Sequence, residues 1–205
     1  MDFNRKPVDL QDPNKPFTDE GKPMRFTALD YWRFQFSNFW DAQEEVAEFL
    51  VAKALGMDLP YNKNGWTTCD ILYKGKRVEI KASAYFHSWR GDGKVSKQRE
   101  FGIPETVGQH NEKKEVPERQ NDVYVFCLNL GDSFESSDPF EMTHWEFYVV
   151  PTSVINQECG HQNKVSLGRL RKITPEWGKV AYGQLKAAID AALQLGGCER
   201  KLKIQ

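Results

Sequence analysis

Asp70, Glu79 and Lys81 are the residues of this chain whose types and spacing could do chemistry. They stand in the run Cys69-Asp70-Ile71-Leu72-Tyr73-Lys74-Gly75-Lys76-Arg77-Val78-Glu79-Ile80-Lys81. Two short apolar stretches flank Lys74-Gly75, which is the pattern of a β-hairpin. Asp70 opens the first strand. Glu79 and Lys81 are two apart on the second, so they share one face, while Val78, Ile80 and Ala82 take the other, toward a core. Two carboxylates and an amine can therefore converge at one end of a sheet. Carboxylate oxygens are ligands that Mg²⁺ favours, and an ammonium group beside them can assist a water or a phosphate.

Such a hairpin needs elements to hold it. A helix is expected from a cap at Ser37 or Asn38 to a stop at Gly56. Phe39, Ala42, Val46, Phe49, Leu50 and Met57 fall on one side of it at helical spacing. In that phase Glu45 borders the apolar stripe, and Glu44 and Glu48 lie further round, toward water. The nearly continuous apolar run Asp122–Leu130 reads as a buried central strand. A second strand runs from Trp145 to Val150, ended by Pro151. Thr152–Gln157 reads as a short helix and Val165–Ile173 as a strand. A last helix is expected to start at Thr174-Pro175-Glu176 and to close at Gly196-Gly197.

The aspartate, the eight residues after it and the following Glu-x-Lys, behind a helix with a border glutamate, resemble the PD-(D/E)xK nuclease superfamily. Type II restriction endonucleases and junction resolvases belong to that superfamily. The resemblance covers residues 37–130, with a looser echo as far as Val150. Cys69 stands where the family often has proline. The resemblance implies an α/β fold with a restriction endonuclease-like core, a mixed central β-sheet flanked by helices. It implies a metal-dependent deoxyribonuclease that hydrolyses phosphodiester bonds in double-stranded DNA at specific sites, working as a homodimer. Mg²⁺, with Mn²⁺ as a substitute, would be held by Asp70, Glu79 and the backbone carbonyl of Ile80. Lys81 would sit beside the attacking water and the scissile phosphate. Glu45 falls where the family's helix glutamate assists the metal site. Ser83, on the same strand face, and Arg90, Lys94, Lys97 and Arg99, in a long polar stretch, are candidates to touch DNA. Two alternatives stay open: a structure-selective enzyme of the junction-resolvase type, and a catalytically silent DNA-binding or interaction module with the same fold.

The 205 residues suit one nuclease domain. Residues 1–25, with four prolines among charges, read as an extended arm, residues 26–150 as the catalytic core, and residues 151–205 as a basic extension. The aromatic-rich segment Phe26–Trp40 reads as core or as a dimer contact. Net charge is −1 and hides an asymmetry. Residues 161–205 carry nine Lys and Arg against three acids, and the remainder carries 19 against 26. A basic tail can contact phosphates. No run of eighteen apolar residues exists, so no membrane span is expected. The four cysteines are widely spaced, and no signal-peptide pattern opens the chain. Both features point to the cytoplasm.

Overall fold

The computed structural model describes residues 12–35, 43–57, 69–86, 99–108, 115–133 and 135–202, the last seven of these as backbone only. Its centre is a five-stranded mixed sheet. The strands in spatial order are β3 (Ile71–Tyr73), β4 (Lys76–Ala84), β6 (Val123–Asn129), β7 (Trp145–Pro151) and β9 (Lys179–Val180). The pair β4–β6 is parallel and the other pairs are antiparallel. This is the expected α/β class with helices against a mixed sheet.

β6 is buried at every position, because its continuous apolar sequence faces a covered surface on both sides. On one side, Val78, Ile80, Val123, Val125 and Phe147 pack against two helices. These are α2 (Gln43–Ala54) and α5 (Leu185–Leu202). On the other side, Tyr124, Phe126, Leu128, Tyr148 and Val150 are covered by a second layer. It consists of α3 (Thr152–Cys159), α4 (Leu167–Ile173) and the ribbon of β5 (Glu100–Gly102) with β8 (Lys164–Ser166).

Turn chemistry fixes the hairpin. Lys74 and Gly75 both have positive φ, 51° and 73°, the conformation that joins two strands through two residues without splaying them. Gly56 ends α2 in the same left-handed region, at φ 72°, as the sequence suggests.

The C-terminal third corrects several expectations. Within residues 151–202, β8 pairs with β5, β9 extends the central sheet, and α5 supplies core residues. The stretch read as a strand at Val165–Ile173 is the short β8 followed by α4. Ser166 caps α4 by accepting from the Arg169 amide at 3.3 Å, and Leu167 and Leu170 bury its inner face. The helix expected from Thr174 is delayed to Leu185. Gly178 is the reason: a Cβ there would lie 2.4 Å from the Val149 carbonyl oxygen, so the chain presses flat against β7 before a helix can begin. Gly196 and Gly197 do not close α5. Glycine weakens a helix interior but stops it only where φ turns positive, and both residues continue the helix.

The N-terminal segment also differs from an extended arm. β1 (Pro16–Asp19) and β2 (Lys22–Thr27) form a hairpin, and α1 (Ala28–Gln35) follows. The Asp30 carboxylate accepts from the Thr27 amide at 2.8 Å and the Thr27 hydroxyl at 2.9 Å, which caps the helix start. Phe26, Tyr31 and Phe34 are exposed rather than in a core. Phe36, Phe39 and Trp40 lie outside the described residues.

The β3–β4 turn is clasped to α5. Lys74 and Lys186 bind Asp190 at 2.8 and 2.6 Å, and Lys186 also donates to the Tyr73 hydroxyl at 3.0 Å. Lys186 and then Lys74 hold the Asp190 carboxyl down at about 2. A lowered carboxyl contributes stability above its unfolded value, 3.8, and loses it as pH falls through the folded value. Asp190→Asn should therefore cost under about 1 kcal/mol at neutral pH, since the clasp faces solvent. The difference from wild type should shrink steadily in urea melts from pH 4 toward pH 2. A pH-independent difference would mean that the clasp acts through packing instead of charge.

Candidate active site

The hairpin register builds the site. Ile71 lies across from Val78 and Tyr73 across from Lys76. One further step along the same register sets Asp70 across from Glu79, and directly opposed residues of an antiparallel pair share a face. Pairing with β3 ends at Val78, so the C-terminal half of β4 has β6 on one edge and no β3 on the other. Asp70 enters that gap. Its Oδ2 accepts the Ile80 backbone N–H at 2.6 Å, a strong bond because the acceptor is charged. In an extended strand the N–H and C=O of one residue point to the same edge, so the Ile80 carbonyl faces the gap that Asp70 occupies.

Glu79 and Lys81 project from the opposite face to Val78 and Ile80, both of which are buried. Lys81 Nζ lies 2.7 Å from Glu79 Oε1, with 27% of the lysine side chain and 21% of the glutamate side chain exposed. Burial, then the neighbouring Asp70 carboxylate, raises the proton affinity of Glu79 against the opposing pull of Lys81. Burial alone would lower Lys81. The carboxylates of Glu79, Asp70 and Glu44 outweigh it and hold the ammonium above its ordinary value. Behind them, Tyr124 pairs with Glu79 across β6, and burial, then the Glu79 charge, raises its phenol.

Helix α2 contributes differently from the sequence expectation. Its buried residues are Gln43, Val46, Ala47, Leu50, Val51 and Ala52, while Phe49 is 50% exposed. Counting Phe49 as core rotates the expected stripe toward Glu45. In the folded chain Glu45 is exposed. The glutamates within electrostatic reach are Glu48, which acts on Glu79, and Glu44, which acts on Lys81. They are one helical turn apart, on the side of the stripe away from Phe49. The sequence signal for them was present: both are glutamates at i and i+4, and only the phase of the helix hid their role.

The residues expected at DNA divide in three ways. Ser83 lies half-buried on the Glu79–Lys81 face. Arg99 is buried, donates to the Tyr85 carbonyl at 2.7 Å and stacks on the Tyr85 ring. It acts as an internal brace between the end of β4 and β5. Arg90, Lys94 and Lys97 lie outside the described residues. A buried cation missed by sequence reading is Arg119, which donates to the Ile103 and Gln162 carbonyls and to Asn156 Oδ1, all at 2.8 Å. It ties the approach to β6 to the second layer.

Among the described residues no three His, Cys, Asp or Glu side chains gather into a metal-binding group. The expected ligands, Asp70, Glu79 and the Ile80 backbone, comprise two carboxylates and one carbonyl. Mg²⁺ keeps several waters and takes one or two carboxylates, so this set fits it, whereas closed zinc sites need four protein ligands. The two like charges of Asp70 and Glu79 also leave negative potential that a cation relieves. Among the described residues no helix is long and apolar enough to cross a membrane. No protein-family model matches the chain, and no curated protein matches it.

The electrostatic geometry can be tested without any activity. Glu48→Gln should lower the Glu79 titration midpoint and Glu44→Gln should lower that of Lys81, because each removes a negative charge that favours the protonated form. Glu45→Gln should move neither. Side-chain NMR titration reads all three. A Glu79 midpoint that shifts with Glu45→Gln and stays fixed with Glu48→Gln would reverse the phase assigned to α2.

Proposed function

We propose that this chain is a metal-dependent endonuclease that hydrolyses phosphodiester bonds in double-stranded DNA, of the PD-(D/E)xK type and site-specific. The observation that carries the reading is the meeting of the Asp70 carboxylate with β4 at Ile80, between Glu79 and Lys81. Two acids, a carbonyl and an amine at one sheet edge form a donor set that suits a hard cation and a phosphate together.

In this reading Asp70, Glu79 and the Ile80 carbonyl hold Mg²⁺. The ion, when bound, neutralises phosphate charge and makes a water more acidic. The protein's own contribution is position and charge. The Ile80 N–H fixes the Asp70 carboxylate, which leaves the other carboxylate oxygen directed away from that bond. Lys81 keeps its proton, held by the acids around it, so it serves as a cation that stabilises charge building on the phosphate oxygens. Glu79 holds Lys81 at contact distance and orients it for that purpose. Phosphodiester hydrolysis is slow enough that each of these effects has to lower the barrier by several kcal/mol, at about 1.4 kcal/mol per tenfold in rate.

A second reading has a specific observation behind it. The Glu79–Lys81 contact satisfies both charges, and strand residues two apart often pair in this way without catalysis. A silent DNA-binding or interaction module would keep the hairpin for its stability alone. Plasmid DNA incubated with Mg²⁺, and then with EDTA, separates the two. The nuclease reading expects cutting that EDTA abolishes. Asp70→Asn and Glu79→Gln should reduce the rate by at least about a hundredfold while leaving the fold intact, and Lys81→Ala should do the same without loss of metal affinity. If wild-type protein leaves unmodified DNA of mixed sequence whole in Mg²⁺ and in Mn²⁺, the proposal fails. Fixed cut ends would indicate a site-specific enzyme, and cuts confined to branched DNA would indicate the junction-resolvase alternative.

A further inference from the structure

Glu79 serves two partners. Its Oε1 lies 2.7 Å from Lys81 Nζ, and in the proposed nuclease the same carboxylate is a metal ligand. Both side chains are largely covered, the lysine 27% and the glutamate 21% exposed, so salt and water screen the pair weakly. At contact distance in such a place, opposite charges attract several times more strongly than in bulk water. Lys81 is thus a resident cation on the carboxylate that the reading assigns to an added one.

The charge of Lys81 is secure. A lysine is protonated at neutral pH, and Glu79, Asp70 and Glu44 hold this one so against burial. Asp70 and Glu79 bring two negative charges to the ligand set, and the ammonium cancels one of them. Affinity for a hard divalent cation follows the charge of its ligands, so the set binds the ion more weakly with Lys81 present than without it. The residue type suits this role. An ammonium is a compact point charge on a flexible stem, whereas an arginine fork would grip both oxygens of the carboxylate and close it to a metal.

With the metal site of the nuclease reading as its premise, we infer that Lys81 sets the metal affinity of this site and keeps it low, acting as the internal counter-ion of Glu79. The free protein then holds a divalent cation loosely. A substrate phosphate adds negative charge beside both cations, relieves their repulsion and tightens the ion. Ion and phosphate therefore load together, and by linkage each strengthens the other. This is a regulatory property of Lys81 in the free protein, separate from its stabilisation of charge during the reaction.

Calorimetric titration of Mn²⁺ into the full chain, free of DNA, tests this without any cleavage. Lys81→Met and Lys81→Gln should each bind Mn²⁺ at least about tenfold more tightly than wild type, as removal of a like charge beside a bound ion does. Lys81→Arg keeps the charge and should show no such gain. Two neutral variants are used so that a folding defect in one, read by circular dichroism, leaves the other to decide. Asp70→Asn should abolish the binding in wild type and in the neutral variants alike. Inorganic phosphate should tighten Mn²⁺ in wild type more than in the neutral variants, which lack the ammonium to share the anion. Neutral variants that bind Mn²⁺ no more tightly than wild type overturn the inference. So does binding that survives Asp70→Asn, or a phosphate effect equal in wild type and neutral variants. Absence of Mn²⁺ binding in every protein overturns it together with the metal site beneath it. Wild-type protein that shows the expected affinities and leaves DNA whole supports the inference and overturns the nuclease reading alone.

Discussion

One hydrogen bond organises the candidate site: the Asp70 carboxylate on the Ile80 amide. Asp70 lies just before β3, where the ladder to β4 has already ended. Without that bond its side chain would have no reason to turn toward β4, and the Ile80 N–H would lack its partner at a half-covered sheet edge, which is costly. A charged acceptor on a backbone amide fixes one carboxylate oxygen and leaves its mate directed elsewhere. The same bond brings a second negative charge close to Glu79 and Lys81: it adds to burial in raising the proton affinity of Glu79, and it joins Glu79 in holding the Lys81 ammonium above its ordinary value against burial. Geometry and electrostatics at this edge therefore have one source, the shortness of β3. A longer β3 would pair with Glu79–Lys81, satisfy Ile80 from the backbone and close the gap.

Much of this arrangement was legible in the residues. Lys74-Gly75 demands positive φ at two successive positions, and the turn supplies it. Alternation along Val78–Ala82 separates a core face from a polar one, and Val78 and Ile80 are buried as that pattern requires. The uninterrupted apolar run of β6 could only be central. What stayed hidden depended on contacts far apart in sequence. The phase of α2 turns on whether Phe49 is inside, and only its packing against the sheet decides that. The delay of α5 depends on Gly178 pressing against the Val149 carbonyl, 29 residues earlier in the chain. The helix at Leu167–Ile173 competes with a strand of the same apolar content, and the Ser166 cap tips the balance.

The charge asymmetry of the sequence takes on a different meaning once the chain is folded. The basic C-terminal third was a candidate phosphate-binding surface. Five of its nine cations instead close pairs with acids from earlier segments and from their own helix. Lys164 meets Glu100, Arg169 meets Glu158, Arg171 and Lys179 both meet Glu146, and Lys186 meets Asp190. Each pair contributes little alone, yet together they explain how the basic stretch from Lys164 to Lys186 can lie against the rest of the molecule. Glu146 shows the logic at close range. Burial would raise its carboxyl, but Lys179, Tyr148 and Arg171 lower it further, so a half-covered acid stays charged on the sheet. Opposite composition in the two parts of the chain thus assists docking of the second layer, and it leaves less cationic surface for DNA than the raw count suggests.

The same accounting bears on the candidate site. Asp70 and Glu48 act electrostatically on Glu79, and Glu79, Asp70 and Glu44 act on the single ammonium group of Lys81. The local field is negative. A phosphate approaching such a cluster from water is repelled by more charge than Lys81 alone can offset at these short ranges. In the proposed reaction an anionic substrate would therefore need added positive charge at this place, which Asp70, Glu79 and the Ile80 carbonyl would hold. The acidity that argues against a simple phosphate-binding patch is the feature that makes the edge suited to a divalent cation. On that ground the proposed metal-assisted reaction accounts for the composition of the site better than metal-free DNA binding, which would place lysine and arginine where this chain places glutamate.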